Sequence, residues 1–316
     1  YWNTESGLTS ESTNDLIQTN DGYIWIGTYT GLHRFDGVNF TIYNANNSSL
    51  PSSNVLRLGF DKEDKLWLGT LHGICVYENG NFAVPDALKP VKNYSIEAML
   101  NTNNGELWFS TKSNHLFHYI NDVLIEYTDA FEIRNSTILT IAEAANGTIF
   151  FGTDASELFL FKNNQIKHIE VPKDVNGINK VIANKNGIYI ATGKGVYSYK
   201  NNELTKLPLL KNTTVNSLIE DHLGILWLGT MKGLYRYNPE TVKVDSITEL
   251  NGLPNNIIRD LHFDRQGNLW GGTYRNGFFM LSDGSITSYD KNDGLSTNII
   301  TAATGINNNH ILLGNE

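Results

Sequence analysis

The groups in this 316-residue chain that could carry chemistry are eight histidines, one cysteine and 33 acidic residues, and their spacing limits what they can do. His115 and His118 form the closest histidine pair. Both fall on one expected strand, where three residues apart means opposite faces of a sheet, so they cannot share an ion. The other six, His33, His72, His168, His222, His262 and His310, are scattered. Cys75 stands alone, which excludes an intrachain disulfide framework and a cysteine zinc site. Within Gly73-Ile74-Cys75-Val76-Tyr77 it reads as a small buried hydrophobe. No Gly-x-Ser-x-Gly elbow, Walker loop or His-Glu-x-x-His is present. Asp264 to Trp270 looks superficially like a sialidase Asp box, but its Asp-x-x-Gly spacing fits a hairpin turn, and the acidic position drifts to Glu63, Asn104 and Asn146. No pair of carboxylates stands out for glycoside chemistry. The expectation is no catalytic residue, no metal site and no cofactor.

Recognition is the remaining chemistry. Tyr29, His72, Lys112, Lys232, Tyr274 and Arg275 each follow closely on a threonine in a short Thr-x-x-Gly or similar stretch. Tyrosine and arginine combine stacking area with directional hydrogen bonds. These positions vary from one stretch to the next, as do the nearby Asn54, Asn114, Asp154, Lys194, Asn216, Asn255 and Asn256. The intervening turns are monotonous Gly/Asn/Asp chemistry. Variation on one set of loops marks the face expected to bind a ligand.

The elements that must position these residues announce themselves by repetition. Trp25-Ile26-Gly27-Thr28 recurs as Trp67-Leu68-Gly69-Thr70, Trp108-Phe109-Ser110-Thr111, Phe150-Phe151-Gly152-Thr153, Tyr189-Ile190-Ala191-Thr192, Trp227-Leu228-Gly229-Thr230 and Trp270-Gly271-Gly272-Thr273. The threonines are 42, 41, 42, 39, 38 and 43 residues apart, and a partial eighth copy covers 294–316. Each unit reads as four short strands with polar turns, an antiparallel meander. Four strands in about 40 residues is the period of a β-propeller blade. The chain is therefore expected to be one all-β propeller over 1–316, of seven blades, with eight as the alternative. Trp25, Trp67, Trp108, Trp227 and Trp270 hold constant register with the threonines and are expected between blades as packing. In the fourth and fifth units Ser156 takes the place of the loop glycine and Ala191 that of the anchor glycine.

Composition agrees. With 40 asparagines, 28 glycines and only 18% charged residues, the chain suits turns and strands better than helices. A net charge of −9 without a basic stripe argues against nucleic acid. No apolar run approaches the roughly 18–20 residues needed to span a bilayer, and Tyr1 reads as the cut edge of a longer protein.

The pattern Gly-Leu … Asp-x-x-Gly-x-Leu-Trp-x-Gly-Thr-x-x-Gly-Leu-x-x-Tyr resembles the two-component regulator propeller repeat, and Trp25 to Gly37 resembles its usual first copy. The resemblance implies an extracytoplasmic sensor region of a bacterial hybrid histidine kinase, periplasmic and carried by an inner-membrane protein. It also implies a carbohydrate-derived ligand such as an oligosaccharide, and a homodimer is the other partner expected. A propeller glycosidase or polysaccharide lyase, a sensor region of a diguanylate cyclase and a purely structural scaffold are the alternatives.

Overall fold

The structure, a computed structural model, describes residues 13–315 except 20, 22, 37–38, 64, 132, 134–135, 185–186, 209, 211, 264–266, 275–277, 283–284, 290–299 and 308–309. The alternating apolar segments form seven four-stranded antiparallel sheets, each a meander in chain order, and one two-stranded sheet. The second sheet, for example, runs through Val55–Phe60, Leu66–Thr70, Gly73–Glu78 and Asn81–Ala83. The sixth runs through Val215–Glu220, Leu226–Thr230, Gly233–Asn238 and Lys243–Ile247. The eighth repeat supplies the hairpin Ile300–Asn307 and His310–Asn315. This is an all-β propeller with seven four-stranded blades, and among the described residues helix is limited to short turns such as Asp86–Val91. By packing, the chain divides into two compact units, residues 14–188 and a second built on 189–316.

The second, third, fourth and sixth sheets are covered on both faces, and the second strand of each shows it. Leu66–Thr70, Leu107–Thr111, Ile149–Thr153 and Leu226–Thr230 are buried at all five positions. That is why these strands read as continuous apolar runs instead of alternating ones. Outer strands such as Lys243–Ile247 are largely exposed, and their charged residues protect the edge.

Within 14–188 the first strands of successive sheets lie side by side, Val55–Phe60 against Ile96–Asn101, Ile138–Glu143 and then Ile178–Asn184. In the other unit Val215–Glu220 meets Ile258–Phe263, which meets Ile300–Asn307. Side chain to backbone bonds join these neighbours where no ladder does. Asn14 Nδ2 donates to Val55 O (2.8 Å), Asp15 Oδ2 accepts from Leu58 N (2.8 Å) and Asn216 Nδ2 donates to Ile258 O (2.8 Å). A β-bulge follows the first residue of the first strand in the second, fourth, sixth and seventh sheets, at Val55/Arg57, Ile138/Thr140, Val215/Ser217 and Ile258/Asp260. It turns the strand where it meets its neighbour.

The anchor glycine exists for this approach. A Cβ on Gly69 would lie 2.7 Å from Ile96 Cγ2, and one on Gly229 would lie 2.8 Å from Ile258 Cγ2. In the seventh sheet, Gly271 replaces an aliphatic residue and its cross-strand partner Phe279 fills the space, fully buried.

Trp25, Trp67, Trp108 and Trp227 are buried between sheets, as the register predicts. Trp25 packs on Tyr77 of the second sheet (4.7 Å between centroids), Trp67 on Tyr119 of the third (5.8 Å) and Trp108 on Phe161 of the fourth (4.9 Å). Trp270 is only half-buried. Each covering aromatic belongs to a third strand of the following sheet, and the eighth repeat here contributes two strands.

Candidate functional site

Two recurring turns frame the possible sites, one at each end of a blade. At the first, Asp61 Oδ1 accepts from the backbone N–H groups of Glu63 (2.8 Å) and Lys65 (3.0 Å), while Oδ2 accepts from Trp67 Nε1 (2.9 Å). Asp221 repeats this with Leu223 (2.9 Å), Ile225 (3.0 Å) and Trp227 Nε1 (3.0 Å). The carboxylate thus closes the turn and satisfies the indole together. The Asp-x-x-Gly stretch is a hairpin turn, as read from its spacing. Its acidic position, six residues before the aromatic, is Thr19, Asp61, Thr102, Ala144 and Asp221 in repeats one, two, three, four and six. Glu63, Asn104 and Asn146 lie two residues further on, which corrects the alignment drawn from sequence. Where the partner is Phe150 the position is Ala144. Trp108, paired with Thr102, has no acceptor for Nε1 among the described residues.

At the other end, the buried anchor threonine closes the hairpin loop. Thr70 Oγ1 donates to Gly73 O (2.9 Å) and accepts from His72 N (3.0 Å), and Thr230 treats Gly233 and Lys232 alike (2.8 and 2.9 Å). Repeats three and four differ from expectation, because their loops are one residue longer. Thr111 N donates to His115 O (2.9 Å), Thr153 N donates to Glu157 O (3.0 Å), and Asn114 and Ser156 supply the positive φ, 65° and 68°. Ser156 is therefore an inserted corner and not a substitute for the loop glycine. The residue after the threonine donates its N–H to the loop before the first strand, Leu71 to Asn54 O (3.0 Å) and Tyr274 to Ile257 O (2.9 Å), so the two loops share one end.

Of the residues expected to recognise a ligand, Tyr29, His72, Lys112 and Lys232 are exposed on these loops. Tyr274 is half-buried beneath the Arg259 guanidinium, 5.1 Å from its ring centroid. Arg275 lies outside the described residues. Tyr29, His72, Lys112, Lys232 and Tyr274 belong to different blades, and none of these five lines the three cavities described below. Three of the loop asparagines also hold the structure together. Asn54 Oδ1 accepts from Asn14 (3.2 Å), Asn216 joins two sheets, and Asn256 Oδ1 accepts from Glu249 N (2.9 Å). His115 pairs with Glu126 (2.7 Å) and His118 with Glu106 (2.9 Å), two separate carboxylates.

The cavities lie elsewhere. One of about 350 Å³ is lined by first strands, with Asp15, Arg57 and Lys180 among its charges. Another of about 460 Å³ lies between the sixth and seventh sheets, bounded by Asp221, Trp227, Arg236 and Asp245. The third, about 600 Å³, lies between the first and second sheets at the Asp-turn end, lined by Asp21, Trp25, Arg34, Tyr43, Lys65 and Tyr77 among others. Cross-strand register explains its aromatic and cationic wall, since Trp25 pairs with Arg34, Arg34 with Thr41, and Leu66 with Tyr77. The Arg34 guanidinium lies 4.6 Å over the Tyr23 ring and 5.8 Å over Trp25. The Tyr43 and Tyr77 hydroxyls meet at 3.5 Å. Burial and then Tyr77 push the Tyr43 phenol up to about 12, while Arg34 pulls it down. Sequence reading passed over this cleft because its residues sit at packing positions, and only the structure shows that two sheets part there.

Three segments, residues 7–30, 209–232 and 252–275, match the family model described as two component regulator propeller. Among solved structures, the chain is 25% identical to the extracellular domain of a putative hybrid two component system from B. thetaiotaomicron. That match covers 86% of this chain and 38% of the other, with a TM-score of 0.67. A second extracellular domain from that organism, of a putative one component system, is 22% identical over 94% of this chain and 49% of the other, TM-score 0.67. The chain thus spans less than half the length of either. Virginiamycin B lyase from Staphylococcus aureus, 14% identical over 84% of this chain and 93% of its own, TM-score 0.63, shares the fold alone. None of the curated proteins matches the chain significantly.

Proposed function

We propose that this chain, which carries two-component regulator propeller repeats, is a non-catalytic sensor propeller of a signalling protein and responds to a carbohydrate-derived ligand outside the cytoplasm. The observation that carries this reading is the likeness to the extracellular domain of a hybrid two component system over 86% of the chain, with three matched repeats within it. In the same reading the propeller faces the periplasm as part of an inner-membrane histidine kinase. Tyr29, His72, Lys112, Lys232, Tyr274 and Arg275 are the loop residues offered to ligand, and a homodimer is the assembly that would pass the signal on. The acidic turn residues serve turns, tryptophans and a lysine, which leaves them structural work and supports a non-catalytic role. The test is a transcriptional reporter in cells carrying the intact gene or one with codons 13–316 removed in frame. Polysaccharide-dependent induction should vanish with the deletion. Undiminished induction would reject the sensor role.

A further inference from the structure

The cleft between the first and second sheets holds two donors with nothing to donate to. The half-buried Arg34 guanidinium stacks on Tyr23 but has no carboxylate within ion-pair distance and no hydrogen bond among the described residues. Trp25 Nε1 is closed off from solvent and likewise has no acceptor there. A buried donor left unmet costs about 1–3 kcal/mol, so the unmet Trp25 indole beside a half-buried guanidinium without an anion is a signal.

Internal comparison shows what is missing. In the second and sixth repeats an aspartate, Asp61 or Asp221, takes the equivalent indole N–H at 2.9 and 3.0 Å. The first repeat has Thr19, whose hydroxyl is occupied with Tyr23 O (2.9 Å) and the Asp21 carboxylate. In the cleft between the sixth and seventh sheets, Arg236 faces Asp245 across the strand pair, so that cleft carries its own anions. The first cleft does have carboxylates, but each is already used. Glu63 and Glu78 flank Lys65 at 3.1 and 3.7 Å, and Asp21 accepts from Thr19 and from Tyr23 N (3.3 Å).

We propose that this cleft is a subsite for a hexuronate residue, whose carboxylate pairs with Arg34 on the open side of the Trp25 ring. A guanidinium presents a planar fork that matches a carboxylate. The half-buried Tyr43 and Tyr77 offer ring faces and hydroxyls to the sugar, and about 600 Å³ accommodates a monosaccharide unit. The choice of a sugar rests on the carbohydrate-sensing reading above. The carboxylate follows from Arg34 independently.

Calorimetric titration of the purified chain with galacturonic acid, galactose and acetate tests it. Galacturonate should bind, and the neutral sugar and acetate at equal concentration should not. Arg34→Met keeps the stem and removes the charge. Thr19→Asp adds a carboxylate to the cleft wall, which repels the ligand's. Each should weaken galacturonate binding at least tenfold while the melting temperature holds, and Thr19→Asp reads the site even if Arg34→Met fails to fold. Absence of galacturonate binding, unchanged affinity in Thr19→Asp, or equal binding of galactose or acetate would overturn the proposal. Binding of neutral oligosaccharides alone would overturn this subsite and leave the sensor reading standing, since the reporter deletion decides that separately.

Discussion

The turn aspartate and the indole it serves are the smallest unit on which this fold depends. Asp221 closes two backbone bonds and satisfies Trp227 Nε1, so Asp221→Ala leaves a buried donor and opens the turn. A loss of about 2 kcal/mol is expected from chemical denaturation, and Asp221→Asn should recover part of it. His33 gives a second residue-scale expectation. Its position is cysteine or an aromatic in other sheets, Cys75, Phe117, Phe159 and Phe279, and here the imidazole is fully buried. Burial lowers its pKa to about 4, partly offset by a bond with the Ile26 backbone. In the unfolded chain the value is about 6.5. The unfolded state therefore binds the proton first, so this contribution is complete above pH 6.5 and is lost as pH falls toward 4, up to about 3 kcal/mol. His118 is lowered by burial too, against the pull of Glu106, and acts in the same direction. Stability measured at pH 7 and pH 5 should converge in His33→Phe relative to the parent chain. An unchanged difference would place the titrating group elsewhere.

At the scale of the element, the strand that bears the anchor sequence sets the distance between neighbouring sheets. Gly69→Ala would press a methyl group into Ile96, and Gly229→Ala into Ile258, both near the root of a stiff branched side chain. Each should cost about 1–3 kcal/mol, as a shift of the denaturant midpoint to lower concentration would show. The pattern of anchors made this register legible in the sequence, because burial on both faces demands the same small and large residues in every repeat. The longer loops after Thr111 and Thr153 were not legible, because Asn114 and Ser156 can occupy a left-handed corner that otherwise calls for glycine. Nor was the cleft beside Trp25. Its absent carboxylate becomes visible only when Thr19 is superposed on Asp61 and Asp221.

At the scale of the whole molecule, each sheet leans chiefly on the next, so stability is a sum of neighbour terms within each compact unit. Cys75 offers a direct reading of one such term. It is fully buried in a core shared by the first and second sheets, with Trp25, Leu32, Leu58 and Leu68. Burial also holds its thiol well above the ordinary cysteine range, so little thiolate is present even when the site is reached. A soluble thiol reagent should leave Cys75 unlabelled in native buffer, and labelling should rise along the same denaturant curve as the change in tryptophan fluorescence. Trp25→Ala, which empties the wall between these two sheets and should cost about 3–5 kcal/mol, ought to move labelling to lower denaturant. Tyr29→Ala, at an exposed loop tip only four residues further on, ought to leave it where it was, since exposed changes cost about 0.5 kcal/mol or less. Rapid labelling of the parent chain in native buffer would mean that the first and second sheets separate without global unfolding. The cleft beside Arg34 would then be a place where the propeller opens, and ligand there would be expected to slow the reaction.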